Sequence, residues 1–199
     1  MIIRTSLTSP FGRKARVAAL HLGLKVDVQP TSANEAGSTL THDNPLGKMP
    51  VLLLDDGRRV YDSRVINECF DLLAGGGKII PTEPTARIDA MVLQALGDGI
   101  MDAGILVVYE GRMRPKQFQY PKWVEMQRGK LLRGLEALAK NPPDAKLVSV
   151  GTIAVACALG YIDWRKQSDW RADHPSLVGW LDAFRKACPS FDATLPPAE

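Results

Sequence analysis

Cysteine is scarce in this chain of 199 residues, and the three present, Cys69, Cys157 and Cys188, lie far apart. None has a partner at metal-ligand or Cys-x-x-Cys spacing, so the sequence offers neither a cysteine-built metal site nor a dithiol redox turn. Cys69 and Cys157 stand among apolar residues at helical spacing and read as small buried hydrophobes. So few cysteines, with no leader-like start, fit a reducing cytoplasmic compartment. Histidine is as rare: His21, His42 and His174 are scattered, and each reads as a surface or helix-end residue. Neither sign of charge dominates. A net charge of +3 and a pI near 8.8 are too weak to imply a nucleic-acid partner. The one basic stretch, "RMRPKQFQYPKW" at 112–123, reads as a solvated helix–helix loop. No apolar run reads as a membrane span, so no membrane partner is expected.

What is present is ordered in two halves. Residues 1–7 read as a strand and 10–22 as a helix, with Val17, Leu20 and Leu24 at helical spacing and Gly23 ending it. Residues 25–29 form a second short strand, and 31–43 a polar loop with a short helix. A buried strand at 51–54 meets a hairpin turn at Asp55-Asp56-Gly57 and returns over 59–61. A helix over 63–73 closes at Gly75-Gly76-Gly77. Beyond residue 85 no strand pattern remains. Helices are expected at 85–109, 123–139, 153–164 and 175–187, the third apolar on most faces and therefore central. The expected architecture is an α/β domain at 1–77, a Pro- and Gly-rich linker at 78–84, and an all-α domain at 85–199.

Two stretches concentrate the chemistry. In "TSPFG" a strand meets a helix through Ser9-Pro10-Phe11-Gly12. A thiol-disulfide enzyme would carry its two sulfurs at Ser9 and Gly12; here there are none. Ser9 before Pro10 is also a plain helix cap. In "NPLGKMPVLLLDDGRRVYDS", residues 44–63, Pro50 directly precedes a buried strand. A proline there cannot donate to a ladder, and a cis Met49-Pro50 bond would leave the Met49 main chain open to an extended peptide. Lys48 offers a cation for a carboxylate. Asp62-Ser63 opens the next helix, with free N–H groups and the positive end of its dipole. The ligand these groups suit is short, extended, and carries an acid at each end and an ammonium.

These residues resemble the glutathione S-transferase superfamily. The likeness is carried by Ser9-Pro10-Phe11, by Asn44-Pro45-Leu46-Gly47-Lys48-Met49-Pro50-Val51, by Asp62-Ser63, and by "SVGTIAVACALGY" at 149–161, which looks like the family's buried helix with its capping box. It implies a thioredoxin-like N-terminal domain, an all-α C-terminal domain and a homodimer. It implies that glutathione is the co-substrate, with no covalently bound cofactor, and that Phe11, Lys48, Met49, Pro50, Asp62 and Ser63 bind it. Ser9 would be the catalytic residue, directing its hydroxyl at the glutathione sulfur. Met101, Ile105, Tyr109 and Trp164 are candidates for an apolar co-substrate pocket, and the small residues Gly97, Gly99, Ala103 and Gly104 for close approach of a second copy. Two positions depart from the family pattern: Thr152 stands where the capping box commonly has Asp, and Asp62 where many classes have Glu. The reading is a glutathione transferase acting on a small electrophile. The alternatives are a non-catalytic glutathione-binding or scaffold protein, and a glutathione-dependent disulfide reductase or isomerase, which the absence of cysteine at position 9 disfavours.

Overall fold

A computed structural model describes residues 1–32 and 38–198; the middle of the expected 31–43 loop therefore lies outside the described residues. The chain forms two compact units. One comprises Met1–Ala90 with the segment from Cys188 on, the other Met91–Ala187.

The first unit is built on four short strands, β1 (Ile2–Thr5), β2 (Asp27–Pro30), β3 (Val51–Leu53) and β4 (Arg59–Val60). Their order is β2-β1-β3-β4, with β1 and β2 parallel and the other two pairs antiparallel. Helix α1 (Pro10–His21) makes the crossover, α2 (Leu40–Asp43) precedes β3, and α3 (Ser63–Leu73) follows β4. Ile3, Val17, Ala18, Val51, Leu52, Ile66 and Phe70 form the core; of Val17, Leu20 and Leu24, the three apolar residues at helical spacing, only Val17 is buried, and Leu20 is exposed. Strands β1 and β2 are shorter than or shifted from the sequence expectation. On β2 every residue is exposed, so burial adds nothing to mark its bounds. The missing second sulfur of the first turn has a packing reason. A Cβ at Gly12 would fall 1.9 Å from Thr5 Oγ1, so this turn of α1 lies too close to β1 for any side chain.

The linker at 78–84 is anchored. Buried Asp71 accepts the N–H groups of Gly77, Lys78 and Ile79 at 2.8, 2.8 and 2.7 Å. The end of the chain belongs to this unit, not to the helical one as the sequence suggested. Buried Arg13 of α1 donates to the Phe191 carbonyl at 2.9 Å and stacks 3.9 Å from the Phe191 ring.

Helix α4 (Pro84–Met113) leads into the helical unit, where α5 (Pro121–Lys140), α6 (Val150–Trp164), α7 (Trp170–Asp173) and α8 (Pro175–Ala187) follow. Helix α6 is buried almost all round. Its N-terminus has a complete capping box: the Thr152 N–H donates to Ser149 Oγ at 3.3 Å, and the Ser149 N–H to Thr152 Oγ1 at 2.8 Å. Threonine thus fills the role commonly given to aspartate. Small residues on α4 serve packing within the chain. A Cβ on Gly97 would meet the Ala154 backbone of α6 at 2.7 Å, and one on Gly104 the Gln167 side chain at 2.7 Å, while Ala103 is buried. Gly99 alone faces open space, so the expectation that this stripe receives a second copy is corrected for the other three. By length and composition alone α4 is long and apolar enough to cross a membrane, where the sequence reading found no run that was. It is an apolar helix with one side packed inside the helical unit and one side exposed.

Candidate functional site

The strand register brings the two stretches together. Arg4 opposes Val51, and Leu52 opposes Val60. The exit from β1, the entry to β3 and the exit from β4 therefore lie at one end of the sheet. The turn into α1, the Met49-Pro50 segment and the start of α3 all emerge there.

At the first, Ser9 is extended (φ −77°, ψ 122°) and caps α1. Its Oγ accepts the Gly12 N–H at 3.1 Å, and its carbonyl accepts the Arg13 N–H at 2.9 Å. Pro10 has no N–H, and as a first-turn donor the Phe11 N–H has no partner among the described residues. Because Ser9 Oγ acts as an acceptor in the cap, its own hydrogen remains to be donated. The Ser6 N–H donates to Met49 Sδ at 3.0 Å and ties this turn to the next segment.

There, Met49-Pro50 is cis, as expected, and Pro50 is buried at the head of β3. No main-chain hydrogen bond of Met49 is found among the described residues. Lys48 is exposed, with no ion pair among them. At the third element Asp62 caps α3, accepting the Arg64 N–H at 2.8 Å, and Ser63 is 3% exposed with its hydroxyl 3.4 Å from Asp62 Oδ1. The Tyr61-Asp62 peptide is also cis. Two helix N-termini, a free extended main chain, one cation and one surface carboxylate thus share a single edge. Such a set accepts anions at the helix ends and a peptide along the strand.

Behind this edge lie residues to which the sequence reading gave no role of their own. Asp43, at the end of α2, receives Arg4 Nη1 from β1 and Arg59 Nε from β4, the latter at 2.8 Å; Arg4 Nη2 donates to Thr39 Oγ1 at 3.1 Å. Burial pushes the Asp43 carboxyl up, but the hydrogen bonds and charges of Arg59 and Arg4 outweigh it and hold it below the usual range. Asn44 follows, buried, with both ends of its amide engaged. Nothing in spacing or periodicity marks Asp43, because its partners come from distant strands; the partners of the Asn44 side chain, Leu46 and Lys48, lie within the loop itself.

Of the candidate pocket residues, Met101 has no exposed surface and is a core residue of the helical unit. Ile105 is half-buried, Tyr109 is exposed, and Trp164 carries the Arg165 guanidinium 3.8 Å above its ring. Burial raises the thiol pKa of both Cys69 and Cys188, although Cys69 is only half-buried. Among the described residues no group of His, Cys, Asp and Glu could hold a metal ion.

Residues 8–73 match the glutathione S-transferase N-terminal domain family. The chain is 35% identical to an uncharacterized GST-like protein, YibF, of Escherichia coli K12, over 96% of each chain. A glutathione transferase family member from Pseudomonas fluorescens Pf-5, solved with bound glutathione, is 37% identical and superposes with a TM-score of 0.91 over 99% of each chain. A second structure of that protein holds S-(propanoic acid)-glutathione. A glutathione S-transferase from Methylobacillus flagellatus KT, with glutathione bound, is 36% identical, with a TM-score of 0.90 over 98% of this chain and 99% of that one. Identity at this level, sustained over 96% or more of the chain, makes the chain a member of the glutathione S-transferase superfamily.

Proposed function

We propose that this protein binds glutathione along the sheet edge and transfers its thiolate to a small electrophile. One observation carries the reading: Ser9 accepts from Gly12 and keeps its own hydrogen to donate, beside the unused Phe11 N–H at the positive end of α1. A free thiol has a pKa of about 8.5, and lowering it by about two units corresponds to ~2.7 kcal/mol. One hydroxyl donor, one helix N–H and the helix dipole together supply stabilisation of that order.

In this reading the Met49 main chain pairs with the cysteinyl residue as an added strand, with Pro50 fixing its direction. Lys48 takes the glycyl carboxylate. Ser63 and the α3 N-terminus take the γ-glutamyl carboxylate, and Asp62 its ammonium. The glutathione and S-substituted glutathione bound by the Pseudomonas fluorescens relative support a site that holds the peptide together with a group on its sulfur. The sulfur attacks the electrophilic carbon; a C–S bond forms, and either a leaving group departs or a conjugated double bond takes up a proton from water.

Calorimetric titration with glutathione, followed by a conjugation assay with an aryl halide, tests the proposal. Saturable binding and glutathione-dependent product are expected; no heat of binding at millimolar glutathione refutes it. Lys48→Ala is expected to weaken glutathione binding by ~1 kcal/mol or more, read in the same titration. Binding equal to the wild type would remove the carboxylate contact.

The exposed side of α4 carries Ile88, Met91, Val92, Leu106 and Met113. We propose that a second copy covers this apolar face in a homodimer. Light scattering at micromolar protein is expected to give the mass of two chains; the mass of one chain contradicts it.

A further inference from the structure

We infer that Asn44 is a positioning residue for glutathione, acting through Lys48 and Met49. The inference rests on the binding assignment above and adds a residue to it. Asn44 is 2% exposed. Its Nδ2 donates to the Lys48 carbonyl at 2.8 Å, and its Oδ1 accepts the Leu46 N–H at 3.0 Å. Its main chain completes the fold of the loop: the Asn44 carbonyl accepts the Gly47 N–H at 2.8 Å, and Gly47 takes the left-handed φ of +60° that the reversal requires. The four residues from Pro45 to Lys48 are therefore wrapped around one side chain. The peptide that ends the wrap is the Lys48 carbonyl joined to the Met49 N–H, so a single hydrogen bond orients the plane of that N–H. It also sets where the Lys48 side chain leaves the backbone.

Asn44 is itself held from behind. Its neighbour Asp43 is clamped by Arg4 and Arg59, and the Asn44 N–H donates to the Leu40 carbonyl at 2.9 Å. From the other side, Met49 Sδ accepts the Ser6 N–H. The loop is thus fixed at both ends by groups that leave the Met49 main chain open. Ligand affinity gains from such a loop because its peptide groups need no ordering when the ligand arrives.

Asn44→Asp isolates the interaction. It keeps the size and the acceptor for Leu46, but replaces the donor facing the Lys48 carbonyl with an oxygen. The variant is expected to bind glutathione about tenfold more weakly in calorimetry, while the pKa of the bound thiol stays at the wild-type value, because Ser9 is untouched. Combined with Lys48→Ala, the loss is expected to fall well short of the product of the two single losses, since both act through one loop. A residue that merely stabilises the fold would lower the melting temperature without producing that coupling. Affinity within about twofold of the wild type, a raised thiol pKa, or independent losses in the double variant would each overturn the inference. Should Asn44→Asp not melt cooperatively, Asn44→Ser is judged by the same criteria. A wild-type protein that does not bind glutathione sinks the binding assignment itself, and this role with it.

Discussion

Ser9→Ala is expected to raise the pKa of bound glutathione by about one to two units and to slow conjugation about 10- to 100-fold, while glutathione affinity changes little. The magnitude follows from what is removed. A hydrogen bond to a charged acceptor is worth roughly 1.5–3 kcal/mol, and 1.36 kcal/mol is one unit of pKa or a factor of ten in rate. Affinity persists because the main chain of Met49 and the start of α3 hold the peptide. Ser9 also caps α1, so the substitution is expected to cost ~1 kcal/mol of stability as well. Ser9→Thr separates the roles: it restores both cap and hydroxyl, and is expected to recover most of the thiol shift. Paired titrations of thiolate absorbance and conjugation rates for the three proteins are the measurement. If Ser9→Ala leaves both unchanged, Ser9 is only a cap and the donor lies elsewhere, with Thr8 and the Phe11 N–H next to be tested.

The second large effect is on stability. Asp43→Ala is expected to destabilise the protein by about 3–5 kcal/mol in urea denaturation, because it leaves Arg4 buried without its carboxylate. Arg4 is 8% exposed, and its Nε has no hydrogen-bond partner among the described residues, so little remains to compensate the charge. The pH dependence has a definite sign. The carboxyl is held below its ordinary value in the folded chain, so its contribution is fully present above about pH 4, the ordinary aspartate range, and is lost as the pH falls through the lowered value. Wild-type stability should therefore drop on acidification by more than that of Asp43→Ala. A cost below about 1 kcal/mol would show that water reaches Arg4 in the variant and that the clamp is not a buried one.

The two predictions differ in how far the sequence foretold them. Ser9-Pro10 and Met49-Pro50 were legible because proline restricts the backbone locally, and a cap or a cis bond needs only its neighbours to be recognised. The helices were legible for the same reason: α3 and α8 fall on their expected bounds, where periodicity and Gly or Pro punctuation agree. Asp43 and Asp71 were not legible. Asp71 accepts a run of N–H groups from the linker, and Asp43 joins β1 to β4. Pairings between segments that meet only after folding leave no periodic trace. The role of Gly12 was hidden likewise, since only the approach of Thr5 shows why that position has no side chain. Small residues on α4 misled in the opposite direction. Gly97 and Gly104 allow close approach, but to α6 and Gln167 of the same chain.

The most direct test of the central claim is a pH titration of thiolate absorbance with wild-type protein saturated by glutathione. A pKa clearly below the free thiol's value of about 8.5 is expected, since a hydroxyl, a helix N–H and the positive end of α1 all favour the charged sulfur. A bound thiol that titrates at or above the free value would contradict thiolate stabilisation at Ser9, and with it the assignment of this sheet edge as a transferase site.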